Sequence, residues 1–216
     1  MRELLPTGTV TLLLVDVEGS TRLWESQPSE MSAAFALLDH IIADSVAVHQ
    51  GVRPVEQGVG DSFVVAFARA SDAVDCALEL QRARLTPIRL RIGLHTGEVQ
   101  LRDGGNYIGP TINKTARLRD LGHGGQTLLS GTTEELVLDS LPAGAWLTHL
   151  GTIRCAASSA LHGSCSCAIP TCATRFPRCV HPMLVFPKIF QPNSRLSLVV
   201  VRKLSTCSSS CPSTAW

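Results

Sequence analysis

Cysteine is almost missing from the first 154 residues, where Cys76 stands alone, and acidic side chains are missing altogether from the 62 that follow. The first absence rules out a disulfide framework for the N-terminal part, and nothing indicates an oxidising compartment. No apolar run near the N-terminus exceeds six residues, which is far short of a spanning helix, and MRELLPTG has no secretory apolar core. Charge of one sign is also lacking, since 19 basic and 18 acidic residues leave +1 and no bulk attraction to nucleic acid or to a membrane surface. What remains is a 216-residue chain, 44% apolar, able to form one sizeable core and expected in the cytoplasm.

The near-neutral average hides a break. Residues 1–154 hold 18 acidic and 13 basic side chains, net −5; residues 155–216 hold 6 basic and no acidic ones, net +6. Seven of the eight cysteines fall in this second segment, with prolines at 170, 177, 182, 187, 192 and 212. No helical or strand period is sustained there, and LSLVVV is its one plausible strand, so 155–216 reads as a largely disordered tail. Cys165, Cys167, Cys172, Cys179 and His181 are metal-ligating types, but their spacing matches no common zinc site. The abrupt change at Arg154, without a linker, fits translation from a shifted reading frame.

Before the break, elements alternate. Val10–Val17 reads as a buried strand, and Met31–His49 as a long amphipathic helix. Val52–Glu56 and Ser62–Phe67 read as strands joined by the glycine turn in QGVGD, Ser71 opens a second helix, and Ile88–Gly97 is a further strand. That order, βαββαβ, predicts a mixed α/β (α+β) fold of ferredoxin-like type with helices on one face of the sheet. Beyond it, Thr111–Leu118 reads as a short helix, Thr127–Leu129 as a strand, Thr132 with Glu135 as a capping box, and Trp146–Leu150 as a last strand without a successor.

Two aspartates fall at strand ends. Asp16 closes VTLLLV and opens DVEGST; Asp61 follows Gly60 and precedes SFVVAF. Paired carboxylates at neighbouring strand ends, with glycines beside them, are how a fold holds Mg²⁺ against a polyphosphate. Asn113 and Arg117 are four apart, which places both on one face of a helix. His95, in GLHTG, reads as a packed core residue, and Cys76 as buried and inert.

With these motifs in place, residues 8–154 resemble the class III adenylate/guanylate cyclase catalytic domain, of mycobacterial type. The resemblance rests on LLLVDVEGSTRLWE, GDSFVVAF, RIGLHTGEV and YIGPTINKTARL, in family order and at family-like separations. It implies two Mg²⁺ or Mn²⁺ ions per site on Asp16, Asp61 and the Val17 carbonyl, with Gly19, Ser20 and Thr21 offering backbone N–H groups to the triphosphate. It implies that Asn113 orients the ribose and Arg117 stabilises the α-phosphate. The family shares each site across a head-to-tail dimer, so a homodimer converting ATP to its 3′,5′-cyclic nucleotide and pyrophosphate follows.

The sequence departs from the family's adenylyl cyclases at the base. These have Lys four residues before the second metal aspartate and Asp seven before the Asn; Gln57 and Asn106 stand there instead. Lysine only donates and an ionised aspartate only accepts, whereas an amide does both, so discrimination relaxes and GTP joins ATP as a substrate. The family's final hairpin is replaced by IRCAASSALHG, which predicts an incomplete set of C-terminal strands and an open sheet edge. A catalytically inactive cyclase-like dimerisation or nucleotide-binding module is the alternative reading. A diguanylate-type enzyme is disfavoured by VGDSF where GG[DE]EF would stand.

Overall fold

The computed structural model describes residues 4–54, 57, 60–102, 105–154 and 195–203. Along the chain these form β1 (Gly8–Val17), α1 (Ser20–Ser26), α2 (Pro28–Val48), β2 (Ser62–Phe67), α3 (Ala70–Arg82), β3 (Leu90–Arg102), β4 (Asn106–Ile108), α4 (Pro110–Leu121), β5 (Gln126–Ser130), α5 (Gly131–Val137), β6 (Ala145–Arg154) and β7 (Arg195–Lys203). The sheet runs β2-β1-β3-β5-β7-β6, with β4 paired to the far end of β3. Only β3 and β5 are parallel.

Both faces of β1 are covered, which explains its unbroken apolar run. Leu13 and Val15 point to one core, with Phe63, Val65, Ile92 and Leu94, under Met31, Leu38 and Ile42 of α2 and Val74 and Ala77 of α3. Val10, Leu12 and Leu14 point to a second core on the opposite face, with Val64, Ala66 and Tyr107, against Ile112 and Ala116 of α4. Each fully buried leucine here contributes about 1.5–3 kcal/mol relative to exposure. By length and composition alone α2 could cross a membrane. Its buried residues, Met31, Ala34, Leu38, Ile42 and Val46, follow one helical stripe against the sheet.

Gly93 sets how closely α4 lies on β3. A Cβ there would stand 2.5 Å from the Arg119 backbone nitrogen and 2.7 Å from the Thr115 carbonyl oxygen, so no larger residue fits.

Three expectations are corrected. The capping residue of α5 is Ser130, whose hydroxyl accepts from the Thr133 N–H at 3.3 Å, two residues earlier than a Thr132–Glu135 box. Val52 forms a single bridge with Ala66 rather than a strand, and residues 55 and 56 lie outside the described set. The strands do not stop at β6 in the chain: Arg195–Lys203 inserts between β5 and β6, pairing antiparallel with both and burying Val199, Val200 and Val201, so that β6 becomes the edge strand. Three successive β-branched residues between two strands meet the conditions of a buried interior strand. The cysteine cluster at 165–181 and the rest of the expected disordered tail lie outside the described residues.

Candidate active site

Register alone brings the first functional groups together. Asp16, next to last in β1, stands opposite Ser62 of β2 and Arg91 of β3. Asp61, one residue before Ser62, is thereby set beside Asp16 at the same edge of two adjacent strands. The two are near enough that the Asp61 charge disfavours ionisation of Asp16.

Asp16 is held asymmetrically. Its Oδ2 accepts from Arg91 Nη2 at 2.6 Å and lies 3.6 Å from Arg119 Nε. Its Oδ1 is buried and accepts no hydrogen bond among the described residues, and neither does Arg91 Nε donate one. Burial raises the carboxyl's pKa above its ordinary value, Arg91 and Arg119 oppose that rise, and Asp61 adds to it. A buried carboxylate oxygen without a donor, beside a second carboxylate, is compatible with a cation at this strand end. No cluster of three or more His, Cys, Asp or Glu forms among the described residues, so a cation here would rest on two carboxylates and a backbone oxygen such as that of Val17. The residues fit such an ion.

Arg91 and Arg119 were not singled out by sequence reasoning. Sequence carried no signal for Arg91 beyond its place at the head of RIGLHTGEV, because its role follows from the β1–β3 register that sets it opposite Asp16. Arg119 is fixed by three hydrogen bonds, Nη1 to Ser62 Oγ at 2.9 Å, and Nη2 and Nε to Asp120 Oδ1 at 2.7 and 3.0 Å. It reaches Asp16 because Gly93 lets α4 lie against β3.

A cleft of about 530 Å³ opens beside Asp61, lined by Ser20, Thr21, Trp24, Glu25, Phe35 and Gly60. That volume falls in the range of small-ligand sites. Gly19, with φ +65°, makes the left-handed turn that carries the chain from β1 into α1 and brings Ser20 and Thr21 to the cleft wall. Asp61, Ser20 and Thr21 therefore share one space. Gln57, Asn106, Asn113 and Arg117 are not among its described lining residues.

Asn113 and Arg117 lie on α4, the first exposed and the second partly so. At 3.6 residues per turn, Arg119 lies about 200° around the helix from Arg117, so α4 offers Asp16 one side and Arg117 another. The second pair, Gln57 and Asn106, comes together at β4. Gln57 Nε2 donates to the Tyr107 carbonyl at 2.6 Å, and Gln57 Oε1 accepts from the Tyr107 N–H at 2.8 Å. Asn106 is the adjoining residue, half-buried.

His95 is buried as expected, its Nδ1 2.8 Å from Ser130 Oγ in a chain of hydroxyls through Thr133, Thr96 and Thr11. Desolvation, with a smaller effect of the Lys114 charge, holds its pKa down to about 4.

The site thus sits on a mixed sheet with α2, α3 and α5 on one face and α4 on the other, its paired carboxylates at neighbouring strand ends. Residues 3–156 match the family described as the adenylate and guanylate cyclase catalytic domain, and the chain belongs to that family. It is 64% identical over 146 residues to an uncharacterized protein of Mycobacterium tuberculosis, covering 68% of this chain and 51% of that protein. The chain thus spans about half the length of that relative. Among solved structures, it resembles an adenylate cyclase of Trypanosoma brucei in its monomeric state, with TM-score 0.61 and 22% identity over 90% of each chain. The guanylate cyclase domain of RhGC from Catenaria anguillulae, in complex with GTP, is similar with TM-score 0.61 and 16% identity, covering 92% of this chain and 98% of that one. These likenesses bear out the α/β architecture.

Proposed function

We propose that this chain cyclises ATP, and GTP less readily, to the 3′,5′-cyclic nucleotide and pyrophosphate, acting in the cytoplasm as a head-to-tail homodimer. The observation that carries the reading is the β1–β2 register, which aligns Asp16 with Ser62 and so sets Asp61 beside it, with Asp16 Oδ1 buried and unbonded among the described residues. Asp16, Asp61 and the Val17 carbonyl would hold Mg²⁺ or Mn²⁺, two ions per site. Bound there, such cations lower the pKa of a hydroxyl nucleophile and stabilise a departing pyrophosphate.

The chain's own residues supply the rest. The ribose 3′-oxygen loses its proton and bonds to the α-phosphorus, while the bond from that phosphorus to the β-phosphate's bridging oxygen breaks. Ser20 and Thr21, with the turn at Gly19, would bind the triphosphate in the cleft that Asp61 shares. Asn113 from the second copy would orient the ribose, and Arg117 would meet the charge that develops on the α-phosphate. An arginine in that role is worth about 10³–10⁵ in rate by analogy with other phosphoryl-transfer enzymes.

A second reading, an inactive nucleotide-binding or dimerisation module, is favoured by one observation. Asp16 Oδ2 already has a guanidinium at 2.6 Å. A single assay separates the two: cyclic AMP and cyclic GMP formation with Mg²⁺ or Mn²⁺. Product from wild type and none from Asp61→Ala supports the cyclase; no product from wild type, with ATP still bound by a dimer, supports the module. Mixing Asp16→Ala and Arg117→Ala chains, each inactive alone, restores activity if the two halves of a site come from different copies. Absence of rescue removes the head-to-tail arrangement.

A further inference from the structure

Gln57 holds the edge of a strand. β4 has β3 along one side, where Asn106 stands opposite Arg102 and Tyr107 opposite Leu101. On its other side the Gln57 carboxamide takes the place a neighbouring strand would occupy, bonding both the N–H and the C=O of Tyr107. Tyr107 is itself anchored, its ring 1% exposed and its hydroxyl donating to the Pro6 carbonyl at 2.8 Å.

This two-point contact fixes which way the Gln57 amide faces. Turning it over would set its NH₂ against the Tyr107 N–H and its oxygen against the Tyr107 carbonyl, two repulsive pairs in place of two bonds. An amide so held cannot reorient between the donor and acceptor patterns of adenine and guanine. Asn106 adjoins the clamped peptide unit, and alternation along the strand directs its side chain away from the buried Tyr107 ring.

We propose that Gln57 is a positioning residue that fixes β4 through Tyr107, so that the choice between adenine and guanine rests on the amide of Asn106. The inference rests on the cyclase reading for its substrate, but the clamp can be tested apart from it.

Two measurements decide. Hydrogen exchange of the Tyr107 amide, followed by NMR on the full chain, accelerates about five- to tenfold in Gln57→Ala, as expected for losing one hydrogen bond. Unchanged exchange overturns the clamp whether or not the protein is active. A double-mutant cycle on kcat/KM then asks how Gln57 acts. Gln57→Ala lowers kcat/KM for ATP and for GTP by the same factor, Asn106→Asp changes their ratio, and Gln57→Ala added to Asn106→Ala costs nothing further. Additive losses, or an ATP-to-GTP ratio shifted by Gln57→Ala alone, overturn the positioning role. A wild-type chain that turns over neither nucleotide overturns the cyclase reading and the base-selection claim together, while accelerated Tyr107 exchange would still establish the clamp.

Discussion

Asp16 is held from several sides at once. It is a carboxylate at the edge of a core strand, desolvated, facing a second carboxylate and held on one oxygen by a guanidinium. That arrangement was half legible from sequence. The two aspartates announced themselves by ending apolar runs beside glycines, whereas Arg91 was one more arginine until strand pairing set it opposite Asp16. His95 shows the same limit, since its burial was readable from the strand but its hydroxyl partners come from β1, β5 and α5, far apart in sequence. Its titration gives a prediction. Held down to about 4 from an ordinary 6.5, the folded His95 binds its proton later than the unfolded one, so stability is complete above pH 6.5 and lost as pH falls through 4. The loss amounts to about 3 kcal/mol. His95→Asn, which keeps a polar group toward Ser130, should flatten the fall in Tm between pH 6.5 and 4; an unchanged slope would assign the acid sensitivity elsewhere.

Among the elements, α4 carries three of the candidate site residues, Asn113, Arg117 and Arg119. Its sequence predicted a helix and put Asn113 and Arg117 on one face, and the structure extends it from Pro110 to Leu121. Sequence could not show that the same helix turns a further arginine inward, because that depends on Gly93 permitting contact with β3. The N-terminus of α5 was misjudged for a similar reason. Thr132 and Glu135 satisfy the capping pattern, but Ser130, the last residue of β5, reaches the Thr133 N–H first. Arg119, 3.6 Å from Asp16, opposes any cation that binds there. Arg119→Gln should tighten Mn²⁺ binding about tenfold, as judged by the free-ion signal in electron paramagnetic resonance, because it removes one repelling charge. Arg119→Lys, which keeps that charge, should bind Mn²⁺ as wild type does. Equal affinity in all three chains would mean that Arg119 only packs α4.

At the scale of the whole molecule, the local order of elements was readable and the closure of the sheet was not. The pattern up to Gly97 specified β1, α2, β2, α3 and β3 in order, because each depends on a period within about twenty residues, while Val52 forms only a bridge and the short α1 was not read. The neighbour of β6 is separated from it by residues 155–194, and only pairing reveals that LSLVVV belongs inside the sheet. Val199, Val200 and Val201 are at most 4% exposed. Val199→Asp would bury a carboxylate without a partner and should cost about 3 kcal/mol or more, with Tm falling by several degrees. A variant melting like wild type would show that β7 contributes little to the folded state. The placement of β7 also orders events during synthesis. Because β7 follows both of its neighbours in the chain, β5 and β6 keep bare hydrogen-bonding edges until residues near 203 are translated, and through that interval those edges are open to pairing with another molecule.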